Sequence, residues 1–412
     1  MKQQDPRKRD LIALIKSFHK DRDQTLVQQK YQALRSNVFA FFRGTCFLFY
    51  ADWPVGSSLD QAPVVWVCGD LHLENFGGYK SDARKIYFDL NDFDEAALAP
   101  CTWELGRLLT SVLVGGEVLG LKRAEARALC RSFLDAYTQA LLKGKAQALT
   151  QDEATGPIKR LLAELAKRKR KDFLKERTDL KNNRRTLRFD GVKMRSIDEA
   201  ERTLVISTFQ TWAAQQPNPQ FFKVLDVGQR VAGTASLGLK RYALLVEGKG
   251  SPDENYLLEQ KQARVSALKA DRVIPQPVWA NDAERIAAVQ RRMQGMPPAL
   301  LNALSFGKDS FVLRELQPSQ DRIVLQKLSE DLEQLHELMK TMGALTAWAQ
   351  LRSSSQPRTA QETQGSTDVP GLVAFAQDSQ WQGALLEHAQ AYTRQVEKDY
   401  QTFCKALDRG AL

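Results

Sequence analysis

The sequence predicts an α+β chain, with a three-stranded antiparallel meander between residues 221 and 262 set between two mainly helical segments. Three observations predict it. Apolar residues recur at helical spacing on both sides of that segment. Inside it, three short strand-like runs are joined by Gly-containing turns too short for parallel crossovers. A length of 412 residues, 43% of them apolar, is ample for a large buried core.

Residues 8–50 read as helical and close on Phe39-Ala-Phe-Phe-Arg-Gly44. A β-branched run over 64–68 and an aromatic run over 85–90 read as strands that flank a loop. Residues 102–121 form a helix whose stripe is Trp103, Leu105, Leu108, Leu109 and Val112, and a second helix spans 124–142. A basic helical stretch covers 159–188. The meander follows, with strands at 222–231, 239–246 and 255–261 and turns at 233–238 and 248–253. Helices resume at 282–293 and at 324–350. Residues 353–368, rich in Ser, Thr, Gln and Pro, read as a flexible surface loop. No internal repeat is evident.

Composition narrows the function classes. No apolar run approaches the roughly 18 residues that span a bilayer, and the basic start of the chain lacks a signal-peptide apolar region. The five cysteines are scattered, without metal-ligand spacing, which fits reduced thiols. A cytoplasmic protein is therefore expected. The net charge of +10 is concentrated in 159–188. No aromatic interleaving or nucleic-acid module accompanies it, so the preferred reading is a solvated helix with Leu161, Leu162, Leu165, Phe173 and Leu174 turned inward, over a nucleic-acid interface.

The chemistry concentrates in Cys68-Gly-Asp-Leu-His-Leu-Glu-Asn-Phe-Gly77 and Tyr87-Phe-Asp-Leu-Asn-Asp-Phe-Asp-Glu95. Asp70, Glu74, Asp89, Asp92, Asp94 and Glu95 crowd the ends of apolar strands, where they repel unless a cation joins them. Hard oxygen ligands suit Mg²⁺ or Mn²⁺, and the reading that follows is a magnesium–nucleotide site. Gly233-Thr-Ala-Ser-Leu-Gly238, with Gly233, Ser236 and Gly238, offers bare backbone for a phosphate chain. Lys261, two strands further on, stands where kinases place a phosphate-holding lysine.

Gly69-Asp-Leu-His-Leu-Glu-Asn75 resembles the catalytic loop of aminoglycoside phosphotransferases, and Asn91-Asp-Phe-Asp94 resembles their metal-binding segment. With Phe42-Arg-Gly44, the Gly-rich meander and Val312-Leu-Arg-Glu-Leu316, the chain is more closely similar to the bacterial domain of unknown function 2252, grouped with the kinase-like superfamily. The resemblance covers roughly residues 30–350. It implies a two-lobed, kinase-like fold: 221–320 as a small nucleotide-binding β lobe, 1–220 as the large-lobe segment with the catalytic loops, and 321–412 as the helical segment completing that lobe. The Gly-rich turn and its lysine follow the catalytic loop, the reverse of the kinase order, which implies a circular permutation.

The resemblance also implies roles. Asp70 would act as base or orienting carboxylate toward an acceptor hydroxyl, with His72 orienting the loop rather than transferring protons. Asn75 and Asp92 would hold Mg²⁺ on the phosphates of ATP, with Asp89 and Asp94 as further metal candidates. Lys261 would neutralise phosphate, Arg43 would contact phosphate or pair with the acidic loop, and Arg314 marks the adenine-binding hinge. Glu284 is the available partner for Lys261. The function implied is ATP- and Mg-dependent transfer to a hydroxyl acceptor, a small molecule or a protein. The alternatives are an inactive nucleotide-binding pseudokinase, a nucleotidyl transferase, and a metal phosphoesterase. Four histidines in the whole chain weigh against the last.

Overall fold

Asp10, Asp23 and Asn37 each accept a backbone N–H three residues on. They thereby start the helices Leu11–His19, Gln24–Leu34 and Val38–Gly44, as N-caps do. A fourth helix, Cys46–Ala51, completes the segment expected to be helical. The computed structural model describes residues 9–268, 274–318, 321–355 and 366–412. The loop expected over 353–368 lies mostly outside them.

The acidic region contains four strands where two were expected. β1 (Val64–Val67) pairs antiparallel with β4 (Ala97–Pro100), and β2 (Phe76–Lys80) pairs with β3 (Ile86–Leu90). The first acidic loop, with Asp70 and Glu74, runs between β1 and β2, and the second acidic loop between β3 and β4. The helix Cys101–Val118 follows directly. It is buried along nearly its whole length and packs against the helices Arg123–Leu142 and Gln380–Asp408.

The basic stretch resolves into the helices Gly156–Lys167 and Arg170–Arg177 and a hairpin, β5 (Thr178–Lys181) and β6 (Arg184–Leu187). Asn182 and Asn183, both at positive φ, make the two-residue turn. Leu161, Leu162, Leu165 and Leu174 are buried. Several of the charges are paired, among them Lys171 and Arg185 with Asp253 and Arg188 with Asp179.

Six strands form one antiparallel sheet. In chain order they are β7 (Met194–Arg195), β8 (Val224–Arg230), β9 (Arg241–Val246), β10 (Tyr256–Gln262), β11 (Asn302–Phe306) and β12 (Asp309–Glu315), arranged β11-β12-β10-β9-β8-β7. The expected meander is β8, β9 and β10. One face of the sheet, with Leu244, Leu258 and Phe311, packs on Val205 and Phe209 of the helix Glu199–Ala213. On the other face Ala243, Leu245 and Leu257 meet Leu174 and Leu187. These small cores are separate from the large helical one, which holds Trp103, Phe133, Leu345 and Phe403. The helices Asp282–Met293 and Leu332–Ser355 lie close to their expected positions. No described helix is long and apolar enough to cross a membrane.

Candidate functional site

β1 ends at Val67, and after Cys68 the chain turns at Gly69, whose φ of +86° favours glycine. A Cβ there would overlap the carbonyl oxygen of Glu95, so the two acidic loops touch backbone to backbone. Tyr50 Oη donates to Gly69 O from the helical segment behind. Asp70, next along, meets Arg107 of the helix Cys101–Val118. Its Oδ1 accepts from Arg107 Nε at 2.6 Å and lies 2.5 Å from Nη2. The Arg107 side chain is wholly buried and its guanidinium lies 4.2 Å from the Phe42 ring centroid. Although burial opposes it, the neighbouring Asp70 carboxylate raises the Arg107 pKa, so the guanidinium keeps its charge.

Asn75 is buried and stitches the two loops together. Its Nδ2 donates to Asp70 O (2.9 Å) and Asp92 O (3.1 Å), and its Oδ1 accepts from Asp92 N (2.7 Å). Those bonds occupy the oxygen that was expected to hold metal. His72 Nδ1 accepts from Glu74 N at 3.1 Å. Burial, then the charges of Arg43, Arg107 and Arg322, press the ring well below its ordinary value and keep it neutral. That geometry suits orienting the loop. Arg43 pairs with Glu74.

Lys261, on β10, forms an ion pair with Asp94 and lies 3.5 Å from Asp92. Burial works to raise the Asp92 carboxyl, but Lys261, Arg314 and Arg322 outweigh it and hold the group down, to about 2. Burial and the Asp92 charge raise Asp94. Residues two apart on a strand share a face, which puts Glu259 beside Lys261. Glu259 is buried and gathers three arginines: Arg230, Arg241 (Nε at 2.6 Å) and Arg314 (Nη2 at 3.4 Å).

The Gly-rich turn closes the cleft from the other side. Gly233 has φ +78° and leads into a short 3₁₀ turn, Thr234–Ser236. Arg22 (Nη1, 2.9 Å) and the buried Lys30 (Nζ, 2.8 Å) both donate to Ala235 O, so the second helix and the linker before it brace the turn from behind. A single cleft is thereby lined by Asp70, His72, Asn75, Asp92, Gly233, Ser236, Lys261 and Arg314. Its lining carries six cations (Arg43, Arg230, Arg241, Lys261, Arg314 and Arg322) against the three carboxylates of Asp70, Glu74 and Asp92.

Three expected residues lie elsewhere. Asp89 is buried, with Oδ1 accepting from Leu90 N and Oδ2 from Gly295 N, both at 2.9 Å. Standing three before Asp92, it leaves the strand on a different side. Gly238 packs against Arg22 and Asp23 behind the turn. Glu284 is exposed, and the helix Asp282–Met293 instead sends Arg285 to the carbonyls of Asp94 and Ala96.

Sequence reasoning missed Arg107, Glu259 with Arg230 and Arg241, Arg322 and the brace from Lys30. Arg107 had a signal: it and Glu104 are charges in the middle of an otherwise apolar helix, and buried charges need partners. The others had none, because their partners lie far away in sequence. Among the described residues no three His, Cys, Asp or Glu side chains form a metal cage.

The family model described as "Uncharacterized protein conserved in bacteria (DUF2252)" matches residues 22–406. No curated protein and no solved structure matches the chain.

Proposed function

The chain belongs to this bacterial family, and on that premise we propose that it is a kinase-like, ATP- and Mg-dependent phosphotransferase acting on a hydroxyl acceptor. The observation that carries the reading is the meeting of Asp92, Lys261 and the Gly-rich turn in one cleft, from segments about 140 to 170 residues apart. Phosphoryl transfer asks a protein chiefly for positioning and charge, and six cations around three carboxylates suit a polyphosphate. The order of parts is also that of a kinase small lobe: Gly-rich turn, strand lysine, then a helix.

Each group then has a task. Lys261, paired with Asp94 in the free protein, would turn to the phosphates, as would Arg314 and Arg322. Asp92 and Asp94, released from it, fit Mg²⁺, which takes one or two carboxylates and completes its shell with phosphate and water. When bound, the metal supplies charge neutralisation on the transferred group. Arg107 fixes Asp70 through Oδ1, and the carboxylate faces the cleft. There it orients the acceptor hydroxyl and takes its proton as the new O–P bond forms, the bond to the β-phosphate breaks and ADP leaves.

One observation favours nucleotidyl transfer as a second reading. A base placed beside Lys261 under the sheet would meet Glu259 and its three arginines, and further along Leu257, already covered by Leu174. ATP bound the other way round would set its phosphates on those arginines. Incubation with Mg²⁺ and ATP labelled at the γ or the α position separates the two. γ-Label leaving with ADP as co-product supports phosphoryl transfer, and α-label leaving with pyrophosphate as co-product supports the second reading. No turnover with any acceptor pool, despite nucleotide binding, would sink both.

A further inference from the structure

A second cavity lies across the β12-to-helix linker from the cleft, and Gln317 and Pro318 line both. Its volume is about 190 Å³ and it opens to solvent. We propose that it binds an organic anion: one phosphate or carboxylate group carried on a ring-sized apolar body.

The charge argument comes first. The lining holds five cations (Lys80, Arg84, Arg168, Lys169 and Arg170) and two carboxylates. Glu315 takes Arg84 at 2.5 Å and Arg170 at 3.4 Å, and Asp321 takes Arg168 at 2.7 Å. That leaves Lys80 and Lys169 without a carboxylate at ion-pair distance among the described residues. Among the described residues the Lys80 ammonium donates to Arg168 O, at 3.5 Å. Burial and the Arg84 guanidinium press the Lys80 pKa down despite Glu315, as a cation among cations requires. An anion between Lys80 and Lys169 relieves that repulsion and gains charge-assisted hydrogen bonds.

The shape argument is independent of it. The lining also holds Leu165, Phe173, Leu316 and Pro298, which offer an apolar floor. Arg170 is held in place by the Tyr256 ring, 3.4 Å from its centroid, so the rim is pre-set. A few convergent charges set on apolar walls are the usual make-up of a small-molecule site, and a volume near 190 Å³ suits a single-ring ligand. A bare inorganic ion would leave that floor unused. The proposal does not depend on chemistry in the main cleft.

The probe is 8-anilinonaphthalene-1-sulfonate, which joins an anionic group to apolar rings and fluoresces when sheltered. Titration into the full chain should give saturable enhancement that persists in Asp92→Ala and with Mg-ATP present. Lys80→Gln with Lys169→Gln should weaken binding about tenfold. Lys169→Glu, a change at an exposed position, should act in the same direction with the circular dichroism spectrum intact. Displacement by phenyl phosphate or by benzoate supports the site and identifies its preferred headgroup. Unchanged affinity in both variants, loss of the signal in Asp92→Ala, or displacement by neither competitor would overturn the proposal.

Discussion

At the residue scale, Asp70 owes its position to Arg107, a side chain with no exposure that reaches it from the neighbouring helix. Removing one partner of a buried ion pair strands the other, at a cost of about 3 kcal/mol or more. Arg107→Gln should therefore lower the urea midpoint as well as turnover, whereas Arg107→Lys should keep the charge and lose the two-point grip. Asp70→Asn tests the chemistry more narrowly. It should leave the nucleotide-induced thermal shift in place and cut transfer by about 10²- to 10⁴-fold. Normal turnover in that variant would refute the assigned role.

Elements are joined by contacts that leave no slack. A Cβ at Gly343 would overlap Phe133 O, so the helices Leu332–Ser355 and Arg123–Leu142 touch at their backbones there. Gly343→Ala should force them apart and cost about 1–3 kcal/mol, read as a lowered thermal midpoint. Beside that contact, Glu104 accepts from Cys68 N at 2.9 Å and from Gln350 Nε2 at 2.8 Å, and Tyr137 donates to Gln350 at 2.5 Å. This buried chain ties three helices to the end of β1. Burial, despite those bonds, pushes the Glu104 carboxyl up to about 7.

The sign of the resulting pH effect is fixed. A carboxyl with a raised folded pKa binds its proton more tightly folded than unfolded, where it sits near 4.3. Its contribution to stability is therefore complete below about 4 and lost as pH rises through about 7. Glu104→Gln lacks the titration. Its stability relative to the wild type should improve by about 1–3 kcal/mol between pH 4 and 8, read from urea midpoints. A constant difference would show that Glu104 does not titrate in that window.

At the scale of the whole molecule, what was legible in the sequence was local. Gly69 to Asn75, the Gly-rich turn and Lys261 each declare themselves within a few residues, and the strong stripe of Trp103 to Val112 fixed its helix. β2 and β4 escaped, because Phe-Gly-Gly-Tyr and Ala-Leu-Ala-Pro carry little strand preference. Glu259 escaped for a different reason. Its arginines come from β8, β9 and β12, and only strand register brings them together. Asp89 was assigned to the site by its neighbours in sequence, but the end of its strand turns it toward Gly295. Short-range motifs thus name a site, while the charges that tune it depend on long-range pairing.

The central claim is that the cleft binds a metal-bound nucleotide through Asp92. A thermal-shift titration with ATP, with and without Mg²⁺ or Mn²⁺, on wild type beside Asp92→Ala tests it most directly. Ligand at 100 times its dissociation constant adds about 2.7 kcal/mol, enough to move the midpoint by about a degree or more. The account predicts a metal-dependent rise in the wild type that Asp92→Ala abolishes. No rise with any nucleotide, or an equal rise in both proteins, would contradict it.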